Sequence, residues 1–133
     1  IEKISTNYYE ALSIKQALEK MEAVKGLYKI EDMELLNFLS GYESKEKLIE
    51  YMDNTLNKII NYDNQNKSNY LETLKYYLNN KCSINNTSRD LYIHRHTLRY
   101  RLERIEKLCD IDFMNFKSRL KYELAVLIYD LYM

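Results

Sequence analysis

The 133 residues carry 20 basic and 20 acidic side chains, with 46% hydrophobic and 30% charged positions, the composition of an ordinary globular protein that buries a modest core. With no proline and only Gly26 and Gly41, tight turns are scarce, which argues against a sandwich or barrel and for long helices. Charge is unevenly spread: residues 1–66 hold eight basic against twelve acidic side chains and residues 67–133 twelve against eight, so the second half is the better suited to a polyanion.

Taken in chain order, Tyr8, Ala11, Leu12, Ala17, Leu18 and Met21 recur near helical spacing and predict an amphipathic helix over residues 7–24. Gly26 ends it. Leu27-Tyr28-Lys29-Ile30 alternates apolar and polar and predicts one short strand. Asp32 then caps a short helix through Phe38, closed by Ser40-Gly41. A longer helix is expected from Lys45 to Tyr62, with Leu48, Met52, Leu56, Ile59 and Ile60 on its apolar stripe. The run Asp63 to Asn69 is the most polar in the chain and marks a boundary between residues 1–66 and 67–133.

Four helices are predicted after that boundary. Tyr70 to Asn80 turns Leu71, Leu74, Tyr77 and Leu78 inward. Asn85 to Leu91 follows, with Asn85 as its N-cap and Ile84 tucked in before it. His94 to Cys109 is the third, and Asn115 to Met133 the fourth, with a stripe of Leu120, Leu124, Leu127, Ile128 and Leu131. The fold class is therefore mostly α: a helix-turn-helix bundle preceded by a small, mainly helical region with one short strand.

Only Tyr92-Ile93 separates the second of these helices from the third, the spacing of a helix-turn-helix. Ser88 is small where the two must approach, and Leu91 and Ile93 point into the core. Leu98, Leu102, Ile105 and Cys109 follow in steps of four, three and four, so one face of the third helix is buried. His96, Tyr100, Glu103 and Lys107 then face outward, flanked by Thr97, Arg99 and Arg104. The first turns hold Arg95, His96, Thr97, Arg99 and Tyr100 with no acid among them, which suits a helix that enters the major groove by its N-terminal turns. Arg101 lies nearer the buried edge. Arg95, Arg99, Arg101 and Arg104 also fit an ordinary solvated face, with surface ion pairs to Glu103 and Asp90 worth ~0–1 kcal/mol each. The apolar C-terminal helix, rich in Leu and Tyr, allows a second class of protein, an all-helical interaction or dimerisation module whose basic face is incidental. RNA binding fits less well, since no sheet aromatics or glycine loops are in view.

The runs Leu71-Glu72-Thr73-Leu74, Leu91-Tyr92-Ile93-His94-Arg95, Thr97-Leu98-Arg99-Tyr100-Arg101-Leu102 and Glu123-Leu124-Ala125 resemble the C-terminal helix-turn-helix of the PucR/CdaR family of bacterial transcriptional regulators. The segment is also similar to the DNA-binding end of Fis-type proteins. The resemblance implies double-stranded DNA as partner, with His94, Arg95, Thr97 and Tyr100 facing it, and the exposed face of the helix adds His96, Arg99 and Arg104 as DNA-binding residues. The resemblance also implies activation of a catabolic operon; an effector would be sensed by an upstream domain. Since one helix-turn-helix covers about half of a useful site, a homodimer is expected in the full-length protein. Ser88 stands where the family usually has alanine, and Tyr92 where many helix-turn-helix proteins have glycine. Residues 1–66 resemble, more weakly, the end of the degenerate GGDEF-like domain that precedes this module, as a linker and packing region without a GGDEF sequence.

No catalytic set, cofactor or metal site is expected. His94 and His96 would point to different sides of a helix, and no third ligand joins them. Asp110 and Asp112 lack a nucleophile or phosphate loop. Cys82 and Cys109 form no C-x-x-C pair and read as reduced thiols. With no signal peptide and no apolar run of about 18 residues, a cytoplasmic, non-membrane location is expected. The start at Ile1, in an already helical pattern, reads as a piece of something longer.

Overall fold

The structure, a computed structural model, describes residues 44–133. The helices expected over residues 7–24 and 32–38, the strand at 27–30 and the resemblance of this stretch to a degenerate GGDEF-like domain fall largely or wholly outside the described residues. Among those described, five helices and no strand are found: α1 (Lys45–Asn66), α2 (Tyr70–Asn79), α3 (Ile84–Asp90), α4 (Arg95–Cys109) and α5 (Phe116–Tyr132). Asp53–Val126 form one compact unit, while residues 44–52 and Leu127–Met133 belong to another. In the latter, Leu48, Met52, Ile128 and Leu131 are buried, and Lys45 Nζ lies 5.1 Å over the Tyr132 ring.

Helix α1 buries Leu48, Met52, Leu56 and Ile59 as its periodicity predicts, while Ile60 is half-buried. It runs a turn past Tyr62, to Asn66. Polar residues alone do not stop a helix, and the chain turns only at Lys67, with φ 51°. Asp63, in that extra turn, caps the next helix. Its Oδ1 accepts from the Tyr70 amide at 2.9 Å and from the Ser68 hydroxyl, and its Oδ2 from the Leu71 amide at 2.9 Å. Asn69, the residue in the N-cap position, makes no side-chain cap, so the carboxylate from α1 satisfies the orphan amides instead.

The next three helices pack on one another, α4 against both α2 and α3. Helix α2 buries Leu74, Tyr77 and Leu78 as expected, with Tyr70 and Thr73 beside them, and leaves Leu71 half-buried. Ser83, not Asn85, caps α3: its hydroxyl accepts from the Asn86 amide at 3.3 Å on extended backbone, and Ile84 already lies in the helix. Asn85 is exposed. Ser88 is buried between helices and Leu91 and Ile93 are half-buried around the turn.

Helix α5 shows a different face from the one its leucines suggest. Tyr122, Ala125, Val126, Ile128 and Leu131 are buried, Leu124 and Leu127 are half-buried, and Leu120 is 47% exposed. This helix is apolar around most of its circumference, so spacing does not select one stripe. The choice is made by tertiary contacts. Tyr122 Oη donates to the Cys109 carbonyl at 3.0 Å, and Ile111 and Phe113 of the preceding loop fill the core, Phe113 meeting Tyr77 edge-on at 4.9 Å.

Two substitutions check this account by thermal or denaturant unfolding. Leu102→Ala should cost ~2–5 kcal/mol by opening a cavity in the α4 core face; an unchanged midpoint would reject that face. Tyr92 is 95% exposed at φ 54°, a conformation that penalises any side chain by ~1–2 kcal/mol. Tyr92→Gly should therefore leave stability equal or higher by up to ~1 kcal/mol, glycine's greater freedom when unfolded offsetting part of the gain.

Candidate nucleic-acid interface

The turn between α3 and α4 ends α3 with paired hydrogen bonds: the Tyr92 amide donates to the Arg89 carbonyl at 3.1 Å and the Ile93 amide to the Ser88 carbonyl at 3.0 Å. His94 follows in extended conformation, and its Nδ1 accepts from the His96 amide at 3.1 Å. His94 thus caps α4 rather than opening it, and its ring stacks on His96 at 5.0 Å and 11°. The sequence expectation that the two imidazoles diverge fails here, because His94 lies outside the helix whose geometry would have separated them.

Helix α4 buries Leu98, Leu102, Ile105 and Cys109. Burial pushes the Cys109 thiol up to about 11. With that stripe inward, His96, Thr97, Arg99, Tyr100, Glu103, Arg104 and Lys107 are all exposed, as are His94 and Arg95. Each of the seven residues expected to meet DNA, His94, Arg95, His96, Thr97, Arg99, Tyr100 and Arg104, is therefore exposed. Arg95 Nη1 donates to Asn85 Oδ1 at 3.4 Å, tying the first turn of α4 to the start of α3.

The arginines divide by environment. Among the described residues none of Arg95, Arg99, Arg101 and Arg104 is ion-paired; the surface pair found nearby is Arg89 with Asp90 at 3.6 Å. The surface ion pairs with Glu103 and Asp90 that the spacing allowed are not formed by these side chains. Arg101 is half-buried and its Nη1 donates to Thr73 Oγ1 at 3.2 Å, a link between α4 and α2. Arg104 Nη2 donates to Tyr62 Oη at 3.5 Å. That hydrogen bond holds the Tyr62 phenol below its ordinary range, while burial raises that of Tyr70, which stacks on Tyr62 at 5.0 Å and 10°. Glu106 is half-buried, and its carboxyl is pushed up by burial and by Asp112 and Glu103, against a hydrogen bond from the Phe113 backbone.

Sequence reasoning missed Tyr62, Tyr70 and Asn85 as neighbours of this surface. Tyr62 and Tyr70 flank a stretch whose polarity reads as a linker, and no local signal reports that they meet. Asn85 at a helix start reads as a cap; the serine two residues earlier was the competing signal. Among the described residues no three His, Cys, Asp or Glu side chains gather as for a metal ion, and no helix is long and apolar enough to cross a membrane.

Comparison with known proteins bears on this surface directly. Residues 70–128 match the PucR C-terminal helix-turn-helix domain. The chain is 32% identical over 117 residues to the DNA-binding transcriptional activator AdeR of Bacillus subtilis (strain 168), covering 87% of this chain and 28% of that protein. The proline-responsive transcriptional activator PutR of the same organism is 28% identical over 127 residues, 95% of this chain and 31% of its own length. Its purine catabolism regulatory protein is 32% identical over 81 residues, 61% of this chain and 15% of its own. The chain thus spans less than a third of each of these relatives. No solved structure matches it.

The two environments of the arginines separate by stability. Arg101→Ala should lower unfolding free energy by ~0.5–1.5 kcal/mol, the net worth of a hydrogen bond, and Arg99→Ala should stay within ~0.5 kcal/mol of the parent as an exposed surface change. Equal midpoints for the two variants in a thermal scan would show that the Arg101–Thr73 link contributes nothing to the fold.

Proposed function

We propose, from the match of residues 70–128 to the PucR C-terminal helix-turn-helix domain, that this chain is the sequence-specific DNA-binding module of a transcriptional regulator, with α4 as its recognition helix. One observation carries the reading. The first two turns of α4 expose Arg95, His96, Thr97, Arg99 and Tyr100 with no acidic residue among them, and no described carboxylate pairs with the arginines. Unpaired guanidinium groups can fork onto guanine O6 and N7, and histidine, threonine and tyrosine can donate to base edges or phosphates. The α4 N-terminus adds its own positive end toward the phosphates.

Roles follow from position. Arg99, on the flank of the inserted turns, reads bases with His96 and Tyr100. Arg95 and Thr97 serve the phosphate backbone and the nearest base edge. Arg104, nine residues beyond Arg95 and so ~13.5 Å along the axis, stands toward the rim of the groove. His94 acts through its cap, which fixes the end of the helix, and through its stack on His96.

The names of the relatives support the wider reading, in which the module serves an activator of a catabolic operon in the cytoplasm. We take residues 67–133 as the DNA-binding part and residues 1–66 as a linker and packing region, with an effector sensed by a part of the protein upstream of this chain. One helix-turn-helix fills about half of a useful site, and paired units stand ~34–36 Å apart on DNA, so the full-length protein acts as a homodimer. Phe116 and Leu120, exposed one turn apart on α5, offer apolar surface for such pairing.

The test is a salt titration of binding by the parent chain, Arg99→Ala and Arg104→Ala, on duplexes selected from a randomised pool and on random duplexes. Arg99→Ala should lose ~1–3 kcal/mol on selected duplexes and relax preference at one or two base pairs. Arg104→Ala should weaken all duplexes alike and reduce the log–log salt slope by ~0.9. If both variants fold and bind as the parent does, α4 is not the reading helix.

A further inference from the structure

Where α1 ends and α2 begins, the outer half of α4 passes over a groove of about 210 Å³ lined by Tyr62, Tyr70, Arg104, Lys107 and Leu108. All five lie within the compact unit Asp53–Val126. The groove is built rather than incidental. Tyr70 is only 7% exposed, and its ring stacked on Tyr62 holds that side chain in place. The Tyr62 oxygen accepts from Arg104, and its hydroxyl keeps a proton that it can donate.

The two charged residues that line the groove, Arg104 and Lys107, are both cations, while the Asp63 carboxylate, whose charge reaches Tyr62, stands outside the lining. Arg104 spends one of its five donors on Tyr62, and Lys107 follows one turn later on the same helix. The nearest carboxylate on α1, Asp63, has both oxygens occupied by Ser68, Tyr70 and Leu71. Glu103 is exposed beside Arg104 but does not line the groove. Two cations and a phenol that can donate call for an anion with several acceptor oxygens, the chemistry of a phosphodiester. Its source follows from distance: ~13.5 Å of helix rise separates Arg104 from Arg95, close to the ~12 Å width of the major groove. A helix that inserts by its first turns brings Arg104 and Lys107 to the strand bordering that groove.

We propose that this groove clamps a backbone phosphate of the bound DNA, Arg104 and Lys107 supplying charge and Tyr62 a neutral donor, so that α1 belongs to the DNA-binding surface although it lies outside residues 70–128. The clamp rests on the reading of α4 as the recognition helix. It positions the protein without reading sequence, as phosphate contacts do.

The experiment uses the whole chain and a random-sequence duplex of about three helical turns, with affinity followed against salt. Tyr62→Phe keeps the ring stack and removes only the hydroxyl. Binding should fall roughly five-fold, the equivalent of one net hydrogen bond, with an unchanged salt slope because no charge is lost. Lys107→Gln should lower the slope by ~0.9, while Lys117→Gln, an exposed lysine of α5 outside the groove, should leave it as in the parent. If the parent binds and Arg99→Ala weakens binding to its selected duplexes while Tyr62→Phe and Lys107→Gln bind normally, the clamp is wrong and the DNA reading survives. Equal slope losses for Lys107→Gln and Lys117→Gln would mean a diffuse field and also overturn the clamp. If Tyr62→Phe loses affinity for inorganic phosphate but not for duplex, the groove serves a small free anion instead. A parent chain that binds no duplex at low salt overturns both proposals.

Discussion

Leu98, Leu102, Ile105 and Cys109 are withdrawn from water along one stripe of α4, and this burial sets the rotation of the helix about its axis. Each of the larger side chains contributes ~1.5–3 kcal/mol by leaving water. Turning the helix by one position, ~100°, would expose them and bring Arg99 or Thr97 into the apolar seam, at the cost of desolvating polar groups without partners. No surface interaction in this unit competes with that sum. The outward direction of His96, Arg99 and Tyr100 is therefore a consequence of the core. The axial position is pinned at both ends: the Nδ1 of His94 holds the first turn, and the left-handed Asp110 closes the last.

The three short connections after α2, α3 and α4 repeat one device without its usual residue. Lys81, Tyr92 and Asp110 each take positive φ after a helix. The following amides, of Cys82, Ile93 and Ile111, reach back to the Tyr77, Ser88 and Glu106 carbonyls, the paired-bond helix end that normally selects glycine. Both glycines of the chain lie before residue 44, so non-glycine residues carry this strain. What holds them is packing beyond the turn: Ile111 is buried and Ile93 half-buried, which anchors the chain as it leaves each helix. At the α3–α4 turn the left-handed residue also fixes how sharply α4 departs from α3. Its conformation is thereby coupled to the direction of the exposed face of α4.

Periodicity made the four helices after Asn69 and the buried stripe of α4 legible, because α4 mixes four apolar positions with strongly polar ones and only one rotation satisfies them. Helix α5 met the same logic in part. Of the expected stripe Leu120, Leu124, Leu127, Ile128 and Leu131, the structure buries Ile128 and Leu131, half-buries Leu124 and Leu127 and exposes Leu120, while Tyr122, Ala125 and Val126 are buried instead. Where nearly every side is apolar, the partner decides which is covered, and the partner is not local in sequence. Two caps escaped the same reading: Ser83 caps the helix whose cap was expected at Asn85, and Asp63 caps a helix seven residues ahead, across a turn, a partnership that no local signal reports. The exposed residues of α4 were named correctly as exposed; what lay beside them was not, since Tyr62 is 42 positions from Arg104.

Net charge gives little guide to what this surface can bind, and the reason is screening. The chain is formally neutral, which would discourage a polyanion if charges summed over the whole molecule. At physiological salt a charge is felt over ~8 Å, about five residues of helix rise. Over that distance the start of α4 presents Arg95 and Arg99 with no acid, whereas Glu103, Glu106, Asp110 and Asp112 gather at its far end and in the loop beyond. Their mutual repulsion shows in Glu106, whose carboxyl is raised by Asp112 and Glu103 after burial. A phosphate backbone approaching α4 end-on meets the cationic turns first and is repelled by the acidic end. The groove of Tyr62, Arg104 and Lys107 lies along the outer half of α4, where its two cations alternate with Glu103 and Glu106. Local segregation of charge along one helix thus orients a polyanion on a chain whose total charge is zero.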